Sequence, residues 1–185
     1  RGYYVIRMGE IVAKPFHVKH SMIIDYSLSK HLSDFGSLYL GAKCAFAIGS
    51  HSGWMSIPQV FNCPIGIINY VPIEYLPTFA NGLAIWKHHL KEGKRMTVNE
   101  IAASGLGLCT VGQLFTQAGI TLQDNTSQEI YELASEMCDL VESKTAADTQ
   151  EEFWKNWPRS MANGKPLHGK IKLRIGGEFL KRYPC

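Results

Sequence analysis

The chain predicts an α/β fold, a mainly parallel sheet flanked by helices. Three observations lead there. Short apolar runs alternate with stretches of helical spacing. The segment Cys44–Val71 reads as strand, polar Gly/Ser turn, helix and second strand, a compact βαβ unit. Within Thr126–Val141, Ile130, Leu133, Ala134, Met137, Leu140 and Val141 recur at three- and four-residue steps and form one apolar face.

In order along the chain, Tyr3–Met8 reads as a buried strand ending at Gly9. Almost no chain precedes it, so a fragment lacking an N-terminal domain is expected. Glu10–Ser21 is a polar loop, and Met22–Tyr26 a short strand carrying Asp25. Ser33 or Asp34 can cap a helix over Phe35–Ala42, with Leu38 inward. In the βαβ unit, Cys44–Ile48 is the first strand and Ile65–Asn69 the second. About ten residues between them have helical apolar spacing at Trp54, Ile57, Val60 and Phe61. Strands Tyr3–Arg7, Cys44–Ile48 and Ile65–Asn69 are expected as neighbours.

Pro72 and Pro77 break the chain next. Leu83–Leu90 reads as a short helix, and Thr97–Ser104 as another, with Thr97 and Glu100 matching a capping box. Thr126 and Glu129 match a second one at the start of the longest helix. Gln150–Trp157 reads as an amphipathic helix presenting Phe153, Trp154 and Trp157, expected as packing residues. The expected organisation is a single domain over residues 1–185, with residues 145–185 as a helical and Gly-, Lys- and Arg-rich appendage.

Composition excludes several classes. Hydrophobic residues make up 45% and charged residues 19%, so a packed core is available. The net charge of +3 is scattered, apart from a mildly basic tail, which argues against nucleic acid. The five cysteines are odd in number and lack a Cys-x-x-Cys pair, so free thiols in a reducing compartment are expected. No run reaches the ~18 apolar residues of a membrane span. His17, His20 and the pair His88-His89 lack ligand partners at metal spacing and read as solvated. No metal and no resident cofactor are expected. Glu129, Glu132 and Glu136 read as a cap and a solvated face.

The candidate site is the turn Gly49-Ser50-His51-Ser52-Gly53. Its glycines permit a sharp turn and close backbone approach. Its hydroxyls and the N–H groups of the following helix suit an anion, and ligands of open α/β sheets bind beyond the carboxyl ends of strands. A plain turn with a serine N-cap is the competing reading. Arg7 ends the first strand and can fork onto a phosphate or form a surface ion pair. Asp25 can hold a sugar hydroxyl, act as a base or cap a turn. Asn69, ending the second strand of the unit, joins the candidate phosphate-binding set.

The run IGSHSGWMSIPQVFNCPIGIINYVP resembles the donor-binding turn of GT-B glycosyltransferases, and heptosyltransferases have a similar strand–Gly–polar–Gly–helix–Pro–strand order. A closer likeness is to a family of bacterial glycosyltransferases described mainly from sequence. It runs from Gly2 to Leu180 through GYYVIRMG, IIDYS, SDFGSLYL, FAIGSHSG and DNTSQEIYELASEM. The resemblance implies the Rossmann-like, donor-binding C-terminal half of a GT-B enzyme. It implies transfer from a nucleotide-sugar co-substrate to a polysaccharide or glycoconjugate acceptor, completed by an N-terminal domain. It also implies a cytoplasmic location at the inner membrane face. Heptosyltransferases carry an acidic residue where His51 stands. The alternatives are a non-catalytic nucleotide- or sugar-binding module and, last, a hydrolase or phosphatase using His51.

Overall fold

The computed structural model describes residues 1–143, 150, 153–154, 157, 161–162, 165–166 and 171–184. Its centre is a four-stranded, wholly parallel sheet. β3 (Ala47–Gly49) pairs with β4 (Ile65–Tyr70), β4 with β5 (Gly82–Trp86), and β5 with the late strand Arg174–Ile175. These strands add in chain order toward one edge, with no reversal among them.

The long helix Ser127–Ser143 packs on β4 and β5. A capping box starts it, as expected. Thr126 Oγ1 accepts from Glu129 N (3.2 Å), and Glu129 Oε2 accepts from Thr126 N (2.7 Å). Leu133 and Met137 are fully buried, each contributing about 1.5–3 kcal/mol by leaving water. A Cβ on Gly66 of β4 would meet both side chains, which shows how closely helix and sheet approach.

The helix α1 (Asp34–Lys43) begins at Ser33, whose hydroxyl accepts from Gly36 N (3.1 Å). The second expected capping box is also present, with Thr97 and Glu100 starting Val98–Ala103.

Several expectations are corrected. Leu83–Leu90 is not a helix. It forms β5 and then β6 (His88–Lys91), which joins β7 (Lys94–Arg95) and β8 (Ile120–Gln123) in an antiparallel sheet ordered β7-β6-β8. A fully buried strand lacks alternation, so its apolar spacing also fits a helix. The first strand, β1 (Val5–Arg7), is not a neighbour of β3. It pairs in parallel with β2 (Ile23–Asp25) in a separate ribbon. Nor is it buried: Tyr4 is 66% and Val5 54% exposed. Leu38 is exposed rather than inward.

The ten-residue helix after Gly53 is a 3-10 turn (Gly53–Met55) followed by α2 (Ser56–Val60), with Val60 and Phe61 exposed. Helix α2 packs on α1, where a Cβ on Gly41 would strike Ile57. Of the Gln150–Trp157 segment, Trp154 and Trp157 are buried in the core as expected, and the intervening residues lie outside the described ones. The C-terminal stretch contributes the edge strand β9 (Arg174–Ile175) and the helix Gly177–Arg182, which packs on Ser127–Ser143.

Candidate functional site

The parallel sheet aligns the carboxyl ends of β3, β4 and β5. Gly49 faces Ile67, and Tyr70 faces Trp86. Ser50, His51, Ser52 and Gly53 follow β3 directly and are all exposed. The turn is held from below by Met55, 2% exposed, whose N–H donates to Ser52 O (3.0 Å). A Cβ on Gly49 would lie 3.2 Å from Met55 Sδ, a close approach that favours glycine. A Cβ on Gly53 would meet nothing within 4 Å, so its backbone faces open space.

Ser52 occupies the cap position of the 3-10 turn without a side-chain cap bond. Its hydroxyl is therefore not engaged in helix capping, the role the plain-turn reading assigned it. The first N–H groups of a helical turn have no partner within the turn. The anion-attracting dipole of so short a helix is small, so the donors here are individual N–H and O–H groups.

His51 meets the Tyr70 ring edge-on, with centroids 5.7 Å apart and planes at 80°. Tyr70 is buried, and its hydroxyl donates to Tyr75 O. Burial, then the neighbouring Tyr75, raises the Tyr70 pKa, so the phenol stays protonated. Asn69 has a left-handed backbone (φ 52°), which asparagine tolerates. Its N–H donates to Asn125 Oδ1 and its own Oδ1 accepts from Asn125 N, both at 2.6 Å. Asn125 also donates to Trp86 O (2.9 Å). Asn69 thus ties the ends of β4 and β5 to the start of the long helix, and its carbonyl oxygen is engaged in that clamp.

Arg7 and Asp25 come together with each other. They are register partners in the β1–β2 ribbon, with Arg7 Nη1 3.2 Å from Asp25 Oδ2. Arg7 also donates to Lys14 O (2.8 Å) and lies over the Phe16 ring. Asp25 accepts from Phe16 N (2.9 Å) and Ser27 Oγ (2.5 Å). The Ser27 hydrogen bond, then the Phe16 N–H, then the Arg7 charge hold Asp25 below the usual carboxylate range. A carboxylate so stabilised is a weak base. The expected phosphate fork at Arg7 meets a charge already compensated.

The sequence reading missed a buried polar centre. His88 and His89, expected on a solvated helix face, are 3% and 1% exposed. His88 Nε2 lies 3.0 Å from Glu129 Oε2 and its ring stacks on Phe179. His89 Nδ1 donates to Lys87 O (2.9 Å). Burial lowers both histidine pKa values, against the raising effects of Glu129 on His88 and of the Lys87 carbonyl on His89. Neutral His88 therefore carries its proton on Nε2 and donates to the carboxylate. Glu132 and Glu136 are not merely solvated. Glu132 pairs with Arg182 (2.5 Å), and Glu136 accepts from Gly177 N and Glu178 N at the start of the last helix. The available signal was a glutamate at the third position of a capping box, a place that points its carboxylate back toward the helix start.

Cys44, Cys63, Cys109 and Cys138 are free thiols. Among the described residues, no three His, Cys, Asp or Glu side chains gather as metal ligands, and no helix is long and apolar enough to cross a membrane. Comparison with protein families, curated proteins and solved structures returns no match.

Proposed function

We propose that the chain is the donor-binding half of a glycosyltransferase, a Rossmann-like domain that holds the diphosphate of a nucleotide sugar over Gly49–Gly53. One observation carries this reading. An exposed Gly/Ser turn with open space above Gly53 follows a strand of a parallel sheet at its carboxyl end, where α/β domains bind ligands. The Ser50 and Ser52 hydroxyls and the first N–H groups after Ser52 are the donors. They stabilise the negative charge that develops on the departing diphosphate. The sugar acceptor and the group that takes its proton belong to the partner domain in this reading. Arg7 is left out of the grip because its charge serves Asp25.

The engagement of Asp25 by three donors favours a second reading. With its one sequence-derived base candidate occupied, the chain by itself binds a nucleotide or sugar without chemistry. The two readings separate on turnover.

Calorimetric titration with UDP, GDP, ADP and their sugars tests the site. Gly53→Val places a side chain where the structure has open space, so the melting temperature is expected to hold while nucleotide affinity falls about tenfold or more, ~1.4 kcal/mol. Unchanged affinity, or no binding of any nucleotide by the wild type, would remove the turn from the reading.

A further inference from the structure

A cavity of about 230 Å³ lies beyond the carboxyl end of β5, between Trp86, the Arg95–Val98 stretch and the end of the last helix. Its walls combine two kinds of surface. Trp86, Met96 and Val98 supply apolar area, and Arg95 and Arg182 supply guanidinium groups. The Arg95 guanidinium lies 3.3 Å from the centroid of the Tyr183 ring. A guanidinium so close over an aromatic face is attracted by the ring and held in place there. Among the described residues, no carboxylate lies within ion-pair distance of Arg95. Arg182 commits one nitrogen, Nη2, to Glu132 Oε1 at 2.5 Å. Its remaining donors have no partner among the described residues. Thr97 is not an available donor, since its hydroxyl donates to Glu100 Oε2 (2.9 Å) and accepts from Glu100 N.

The cavity therefore offers an excess of positive charge next to an aromatic and aliphatic wall. A guanidinium positioned by stacking, without a carboxylate partner among the described residues, matches the planar bidentate geometry of a carboxylate or phosphate. The apolar wall suits a ring. Size sets the upper limit. The volume is below the ~300–1,000 Å³ of pockets for drug-sized ligands, so a whole nucleotide sugar does not fit. We propose that this cavity is a binding site for a small anionic ligand, a carboxylate or phosphate group on a single ring, with Arg95 as its principal anchor. The proposal does not depend on the Gly49–Gly53 reading.

Phenyl phosphate and benzoate are the probes, with benzyl alcohol as the uncharged ring and inorganic phosphate as the ringless anion. Titrations are followed on the Trp86 indole N–H signal of nitrogen-15-labelled protein, assigned with Trp86→Phe. A saturable shift with at least one ring anion is expected, and binding about tenfold or more weaker for the uncharged ring and the free anion. Arg95→Gln should weaken the ring anion at least about tenfold, and Met96→Trp should fill the cavity and abolish the shift. Gly53→Val should leave it unchanged. Which of the two anions binds more tightly identifies the preferred group. No saturable shift at Trp86, equal binding of benzyl alcohol, or unchanged affinity in both Arg95→Gln and Met96→Trp proteins that melt like the wild type would each overturn the proposal.

Discussion

His88 Nε2 and Thr126 N both donate to the same oxygen, Oε2 of Glu129, at 3.0 and 2.7 Å. One buried carboxylate thus caps the long helix and receives a histidine from the strand β6, joining that helix to the antiparallel sheet at one atom. Glu129→Ala removes the reciprocal cap bond and leaves a buried imidazole N–H without a partner. The cap bond is worth about 0.5–2 kcal/mol and the orphaned donor about 1–3 kcal/mol. A total loss of about 2–4 kcal/mol is expected, read from urea unfolding. A loss under about 1 kcal/mol would mean that the two bonds are not formed together.

The same centre makes stability depend on pH. Both His88 and His89 have pKa values below their ordinary 6.5, with burial the largest cause. Arg95 adds to the lowering at His88, and His88 and Lys87 add to it at His89. Above the unfolded value both states are neutral and stability is full. Below it, the unfolded chain takes up protons that the folded chain refuses, so stability falls until the folded pKa values are passed. Two such groups give a slope of at most about 2.7 kcal/mol per pH unit. Burial pushes Glu129 up, but the hydrogen bonds from Thr126, His88 and Tyr183 together outweigh it and hold it below 4.5. It adds a further loss below pH 4.5 of the same sign. Urea midpoints at pH 7.5, 6.5 and 5.5 should descend; midpoints that hold or rise over that range contradict the buried neutral imidazoles.

The sequence exposed the parts of this fold that local chemistry dictates. The long helix was legible because its apolar face repeats for four turns and Thr126 and Glu129 mark its start. Thr97 and Glu100 marked the next one equally well. The strand β5 was not legible, because Leu83, Ala84, Ile85 and Trp86 are all buried and show no alternation. Strand order was also out of reach. Nothing local to Tyr3–Arg7 says that its partner is Ile23–Asp25 rather than β3. The Gly49–Gly53 turn fell where the βαβ pattern put it. The contacts that decide the rest join distant residues: Arg7 to Asp25, Asn69 to Asn125, and His88 to Glu129 across 41 positions.

Cys44 illustrates a thiol inactivated by its surroundings. Burial, then the neighbouring Cys63, pushes its pKa up to about 11. Against the ordinary 9.0, about a hundredfold less thiolate is present at neutral pH. Alkylation of Cys44 by iodoacetamide, followed by peptide mass spectrometry, should be slow at pH 7.5. It should still be slow in Cys63→Ser, since burial is the larger cause. Rapid labelling of Cys44 in the folded wild type contradicts this.

Gly82 is where the central sheet tolerates no side chain. Its φ is +134°, and a Cβ there would sit 1.9 Å from Ile65 O on the neighbouring strand. The obstacle is backbone within the β4–β5 ladder, not the end of a flexible side chain. Gly82→Ala must strain its own backbone and part the ladder, at a cost of about 3–5 kcal/mol. Soluble, wild-type-like melting of this variant would show that the two strands do not approach as described.

Asp25 separates a structural role from a catalytic one. Its carboxylate accepts from Phe16 N, Ser27 Oγ and Arg7, which fastens the Glu10–Ser21 loop to the β1–β2 ribbon. Asp25→Asn keeps the shape but weakens all three bonds and frees the Arg7 charge. Hydrogen exchange at the Phe16 amide is expected to quicken by about tenfold or more. The Val5 amide, which donates to Met22 O at 2.8 Å, should follow it, while the long helix keeps its protection. Acid should imitate the substitution. With its folded pKa held below 3.8, Asp25 contributes stability that is complete above that value and is lost as pH falls through the folded one. If Asp25→Asn leaves exchange at Phe16 and Val5 untouched yet abolishes the sugar transfer proposed above, Asp25 is a catalytic base and the ribbon is held by other contacts.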